Sequence, residues 1–140
     1  MLQVLQQRYK AYQEMCTAAW KRSNFMDNFL GTNNAAKRHP CHEEFYQDVS
    51  KLVEEYAATQ PSCQDAFAVS SFLLTEPKKY KDRDCYWFMY VMVGCIRDLI
   101  PFMDKQTCQQ LLQLMDANYK KRERMPVQED TYKKLKKAAK

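Results

Sequence analysis

Glycine is nearly absent from this chain: Gly31 and Gly94 are the only two in 140 residues. Strands joined by tight turns need glycine or asparagine at short intervals, so this scarcity argues for helices joined by few loops. It also argues against a phosphate-cradling loop, and the chain carries no G-x-S-x-G and no H-E-x-x-H. The longest apolar run is the twelve residues 85–96. A bilayer span needs about 20, so no membrane association is expected. The first eight residues have no basic region leading into an apolar stretch, and no signal peptide is read there. Histidine is as scarce as glycine, at His39 and His42 alone.

What is present is a globular composition. Hydrophobic residues make up 46% of the chain, which speaks against disorder, and 140 residues form one domain with a core of its own. The six cysteines (Cys16, Cys41, Cys63, Cys85, Cys95 and Cys108) would allow three disulfides. However, Cys16, Cys95 and Cys108 fall at apolar helical positions, where a free thiol packs as a small hydrophobe. Reduced cysteines and a cytoplasmic location are the expectation.

The apolar pattern has the period of helices. Leu2, Leu5, Tyr9, Tyr12, Cys16, Ala19, Met26 and Leu30 alternate at three and four, with Ser23 as the polar lapse. Val4, Trp20 and Phe29 widen that face, which favours packing into a bundle over a two-stranded coil. Residues 31–34 read as a C-cap and loop. Pro40 is a natural first helical residue, so a second helix is expected over 40–58, with His42, Phe45, Val49, Leu52 and Tyr56 on one stripe. Ser62 with Asp65 approximates a capping box for a third helix through Phe67, Phe72 and Leu73, stopped by Pro77. Residues 75–84 read as a charged loop. A fourth helix over about 84–100, apolar on every side, belongs at the centre, with Trp87, Met89, Val91 and Val93 buried and Pro101 ending it. Gly94 within it costs about 1 kcal/mol of helix propensity, a cost that a close helix–helix approach would justify. Asp104 caps a fifth helix carrying Cys108, Leu111, Leu112, Met115 and Tyr119. After Pro126 a short last helix bears a thin stripe of Tyr132, Leu135 and Ala139. The fold class is therefore all-α: a single compact bundle of five to six helices around the helix at about 84–100. Residues 1–126 form its core and 127–140 a basic terminal helix or tail, dispensable for the folding of that core.

Two features could carry chemistry. The first is His39-Pro40-Cys41-His42, where metal-binding and nucleophilic side chains crowd together. With Pro40 opening a helix, the helix dipole would favour the Cys41 thiolate and make it the most readily alkylated cysteine. Three ligands within four residues cannot all reach one ion easily, so a metal site at His39, Cys41 and His42 would need a further cysteine, such as Cys16, Cys63 or Cys108, or a carboxylate from elsewhere. This is the weaker reading, and no cofactor is expected. The second feature is charge. The net charge is +5, but residues 119–140 hold nine Lys or Arg against three acids, leaving −1 on the remainder. Lys120, Lys121, Arg122, Arg124, Lys133, Lys134, Lys136 and Lys137 are the candidates for binding a polyanion, although a solvated terminal helix whose lysines keep the protein soluble is the favoured account of them. Arg97 and Asp98, just after the apolar helix, read as structural ion pairs with a neighbouring helix.

No catalytic constellation stands out, so an enzyme is the less favoured reading. By elimination, the class expected is a small intracellular protein that binds another protein, as an inhibitor, immunity-type neutraliser or regulatory adaptor. A nucleic-acid-associated protein using the basic segment is the second reading, and a metal- or thiol-dependent activity at His39, Cys41 and His42 the third. Self-association into a homo-oligomer stays open.

Overall fold

The structure, a computed structural model, describes residues 1–21 and 35–140. The chain is all-α. Its described helices are α1 (Leu2–Lys21), α2 (Ala35–Ala58), α3 (Cys63–Lys79), α4 (Cys85–Cys95), α5 (Lys105–Asn118) and α6 (Pro126–Ala138). Short 3-10 turns lie at Ile96–Asp98, Ile100–Phe102 and Lys121–Glu123, and no strand occurs among the described residues. Helix α4 packs against α2, α3 and α6, with α1 lying on α2 and α5 bridging α3 and α6.

The three-four spacing of α1 buries Leu5, Tyr9, Tyr12, Cys16 and Ala19. Val4, expected to widen that face, is exposed instead. The continuation read through Ser23, Met26, Phe29 and Leu30, and the loop at 31–34, lie outside the described residues. Helix α1 is tied to α2 by Arg8, whose Nη1 donates to both oxygens of Asp48 at 2.6 and 2.7 Å, and by the Tyr12 hydroxyl on Asp48 Oδ2 at 3.2 Å. Beneath these ties Phe45, Val49 and Val53 of α2 are fully buried, with Leu52 and Tyr56 half-buried beside them. Phe88 of α4 sits at the centre of an aromatic cluster, edge-on to Phe45 at 4.9 Å and to Tyr9 at 5.1 Å between ring centroids. Such pairs add about 0.5–1.5 kcal/mol each beyond the area they bury.

Three helix boundaries differ from the sequence reading. Helix α2 begins at Ala35, so Pro40 lies inside it rather than at its first position. Proline there forfeits only one early backbone bond, and the run Ala-Ala-Lys-Arg before it is strongly helix-forming. Helix α3 likewise runs through Pro77 to Lys79, which converts half of the expected loop at 75–84 into helix. Helix α4 is shorter than expected. It ends at Cys95, and the chain continues through two 3-10 turns, the second of which contains Pro101.

Caps, by contrast, sit where the residue types place them. Ser62 Oγ accepts from the Asp65 amide at 3.1 Å, and Asp104 Oδ1 from the Thr107 amide at 2.8 Å. The C-terminal segment is no appendage. Leu135 and Ala139 of the expected stripe are buried, together with Gln128 and Thr131. The Thr131 hydroxyl donates to the Val93 carbonyl at 3.2 Å, and Gln109 Nε2 to the Ala139 carbonyl at 3.0 Å. A Cβ on Gly94 would stand 3.0 Å from Val127 Cγ2. The glycine therefore lets α6 close down on α4, and residues 127–140 belong to the core.

Candidate functional site

Helix α4 is the most apolar segment of the chain, yet it is not wrapped on all sides. Met89, Val91 and Val93 point inward, whereas Tyr86 and Tyr90 are 69% and 40% exposed and Trp87 is half-buried. Trp87 stacks on Tyr90 at 5.8 Å and leans on Tyr46 of α2, itself 42% exposed, at 6.5 Å. Tyr46 and Tyr90, with Trp87 stacked behind them, border an open groove of about 340 Å³ between α2, α4 and α6. Glu54 and Val91 line it, Gly94 lies along it as well, and Arg97 and Asp98 also contribute. Arg97 is committed to structure, with its Nε donating to the Gly94 carbonyl at 2.9 Å and its Nη1 to Asp130 at 2.7 Å. Glu54 and Asp98 are exposed and form no ion pair among the described residues.

Trp87 also connects this surface to the interior. Its other stacking partner is His42, 5.4 Å away and nearly parallel. His42 Nε2 donates to Asp84 Oδ1 at 2.7 Å, and Arg38 Nε donates to the same oxygen at 2.9 Å. The carboxylate only accepts, so Nε2 carries the proton in this pairing. Arg38 and His42 stand one turn apart on α2, which brings both onto one face. That juxtaposition requires the helix to run through Pro40. Asp84 occupies the N-cap position of α4 but makes no side-chain cap bond; its carboxylate turns inward and is almost fully buried. A buried carboxylate is tolerated only where it is paired and hydrogen-bonded, and these two partners supply that.

Cys16 completes the cluster from α1. Its thiol, the His42 imidazole and the Asp84 carboxylate place ligand atoms all within 4.8 Å of one another. Cys41 Sγ lies 3.2 Å from Cys16 Sγ. Both thiols are buried, and burial pushes both up from the ordinary thiol range. This overturns the expected thiolate at Cys41. The residue is several positions into its helix, beyond reach of the dipole at the first turn, and desolvation prevails over dipole. Of the three residues proposed as metal ligands, His42 enters the cluster, Cys41 adjoins it through Cys16, and His39 points to solvent.

The basic candidates do not converge on one surface feature. Arg124 is spent within the fold: its guanidinium lies 3.7 Å over the Tyr132 ring and contacts Asp116 and Glu129 at 3.2 and 3.6 Å. Lys134 reaches Asp130 at 3.6 Å. Lys120, Lys121, Arg122, Lys133, Lys136 and Lys137 are exposed, and the α6 lysines stand on the face opposite Leu135. Sequence reasoning missed Asp84, Arg38, Tyr46 and Tyr90. The one signal available was the i, i+4 spacing of Arg38 and His42. No protein-family model, no curated protein and no solved structure matches this chain. No described helix is long and apolar enough to cross a membrane.

Proposed function

We propose that this chain is a non-enzymatic protein-binding protein that docks its partner on the aromatic face of Tyr46, Trp87 and Tyr90 and in the groove beside it. The observation carrying this reading is that the most apolar helix leaves stacked tyrosine and tryptophan rings at the surface. Tyrosine and tryptophan dominate the residues that hold interfaces together, because they bury much area and lose few rotamers on binding. The groove also indicates what kind of partner it takes. Arg97 and Lys134 also line the groove but are both engaged by Asp130, so the exposed carboxylates Glu54 and Asp98 favour a segment that inserts an apolar side chain and flanks it with a basic one. The basic α6 face is the weaker alternative, because Arg124 and Lys134 are held by acidic partners within the fold.

The test starts from affinity capture with the intact chain, with Tyr90→Asp, and with Met15→Asp, which alters an exposed apolar residue of α1 outside the groove. Any captured protein is then purified and its binding measured by calorimetry. The expected result is a partner held equally by the intact chain and Met15→Asp and at least tenfold more weakly by Tyr90→Asp, about 1.4 kcal/mol. Binding indifferent to Tyr90→Asp would refute the reading. So would light scattering that shows a dimer for the intact chain and a monomer for Tyr90→Asp. Retention on immobilised nucleic acid at about 50 mM salt, falling steeply as salt rises, would transfer the function to the basic segment.

A further inference from the structure

We infer that Cys16, Cys41, His42 and Asp84 form a zinc site at the junction of α1, α2 and the start of α4, a site independent of the groove. Cys16, His42 and Asp84 already present ligand atoms within 4.8 Å of one another, and the Cys41 thiol is 3.2 Å from that of Cys16. Two sulfurs, an imidazole nitrogen and a carboxylate oxygen are the donor set that borderline-soft, four-coordinate Zn²⁺ prefers, whereas calcium and magnesium demand oxygen throughout.

The four side chains are close enough to converge by side-chain rotation. Zn–S bonds of about 2.3 Å and Zn–N and Zn–O bonds of about 2.0–2.2 Å set tetrahedral edges of about 3.8 Å between sulfurs and about 3.4 Å between nitrogen and oxygen. The Cys16–Cys41 edge, at 3.2 Å, and the His42–Asp84 edge, at 2.7 Å, would each open by about half an ångström. The edges from Cys16 to His42 and Asp84, each within 4.8 Å, would close by up to about 1.2 Å, and Cys41, which stands outside that set, would turn toward them from its place beside Cys16. Charge is balanced as well. Two thiolates and one carboxylate exceed the charge of Zn²⁺ by one negative unit, and Arg38, already on Asp84 at 2.9 Å, supplies the compensating positive unit in the buried site. It would serve as the outer partner that ligating carboxylates generally have. His42, stacked under Trp87 and partly exposed, lies on the side from which an ion could enter. On binding, both thiol protons leave to solvent, and the single imidazole proton of His42 moves from Nε2 to Nδ1 by way of solvent, which frees the Nε2 lone pair for the ion. With four protein ligands the site holds no open position for water, so the ion's role would be structural: it pins α1, α2 and α4 together beneath the aromatic face.

Cobalt titration of the full reduced chain tests this, because Co²⁺ reports coordination by its colour. The expected result is intense tetrahedral d–d bands with a thiolate-to-cobalt band, saturating at one equivalent and erased by one equivalent of Zn²⁺. Cys16→Ser and His42→Gln should each weaken binding tenfold or more, while His39→Ala and Cys63→Ser should leave it unchanged. His42 is partly exposed, so His42→Gln keeps the test decisive even if Cys16→Ser fails to fold, as judged by circular dichroism. Tyr90→Asp should retain the full cobalt spectrum, which separates failure of this site from failure of the groove. The inference is overturned if no tetrahedral spectrum appears, or if the spectrum survives both ligand substitutions. It is also overturned if the chain purified without reductant titrates as four thiols, with a disulfide mapped to Cys16 and Cys41.

Discussion

Asp84 is the residue on which most of the cluster depends. It receives Arg38 and His42 on one oxygen, and both it and Arg38 are almost wholly removed from water. Truncation to alanine would remove the buried carboxylate that the Arg38 guanidinium and the His42 imidazole share, so Asp84→Ala should cost about 3–5 kcal/mol, read as a drop in the urea midpoint. Arg38→Met at the other end of the pair should cost less, because the long apolar side chain refills the volume. The thiols give a second prediction at this scale. Cys16, Cys41, Cys95 and Cys108 are buried, whereas Cys63 and Cys85 are only half-buried. Burial raises the thiols of Cys16, Cys41, Cys85 and Cys108, and pushes that of Cys95 up to about 12. Rate-resolved alkylation should therefore label Cys63 first and Cys41 among the last. The pH dependence follows from the same shifts. In the unfolded chain these thiols ionise near the ordinary value of 9.0, while in the folded chain they keep their protons to higher pH. The unfolded state then binds fewer protons, so the stability these groups provide is complete below about pH 9 and is lost as pH rises above it. Tyr9, Tyr12 and Tyr119, also raised by burial, extend the loss further into alkali. Thermal midpoints across pH 7 to 11 should be level at first and then fall.

At the scale of elements, the reading of the sequence succeeded where one residue type has one use. Ser62 and Asp104 cap the helices they precede, and the three-four stripes of α1 and α5 are the buried ones. Ser62→Ala should accordingly cost about 1 kcal/mol, with the folded helix content unchanged by circular dichroism. The reading failed where a residue type has two uses. Pro40 and Pro77 read as boundaries because proline both starts and stops helices; each instead lies inside one, where strong helix formers beside it and tertiary anchors outweigh a single lost bond. Asp84 stands where an N-cap belongs, and that position concealed its inward turn. The metal-like cluster was only half legible for the same reason. Cys41 and His42 are neighbours in the chain, but Cys16 and Asp84 arrive from α1 and α4 through packing that no local pattern encodes. Likewise, Tyr86 and Tyr90 sit in an unbroken apolar run whose periodicity offers no polar face to mark them as exposed. Only the arrangement of α2 and α6 around α4 decides which side stays open.

For the whole molecule, the question is whether the basic C-terminal segment is cargo or structure. Its composition, nine positive residues against three negative, suggests a detachable tail. Its packing shows otherwise, because α6 covers one side of α4 through Leu135, Thr131 and the Val127–Gly94 contact, and Ala139 binds back to α5 through Gln109. With α6 absent, Val93 and its neighbours would face water and the Val93 carbonyl would lose the Thr131 hydroxyl. A chain ending at residue 126 should therefore lose cooperative unfolding rather than simply lose charge. Leu135→Ala offers a graded version of the same experiment. The side chain is 1% exposed, and removing a fully buried leucine costs about 2–5 kcal/mol, depending on how far the surroundings collapse. Exchange of Lys133, Lys136 and Lys137 for glutamine, on the opposite and solvated face of the same helix, should change the urea midpoint by no more than about 0.5 kcal/mol. A lysine triple variant as damaging as Leu135→Ala would mean that charge rather than burial holds α6 in place. Equal stability of the truncated and intact chains would mean that the core closes without it.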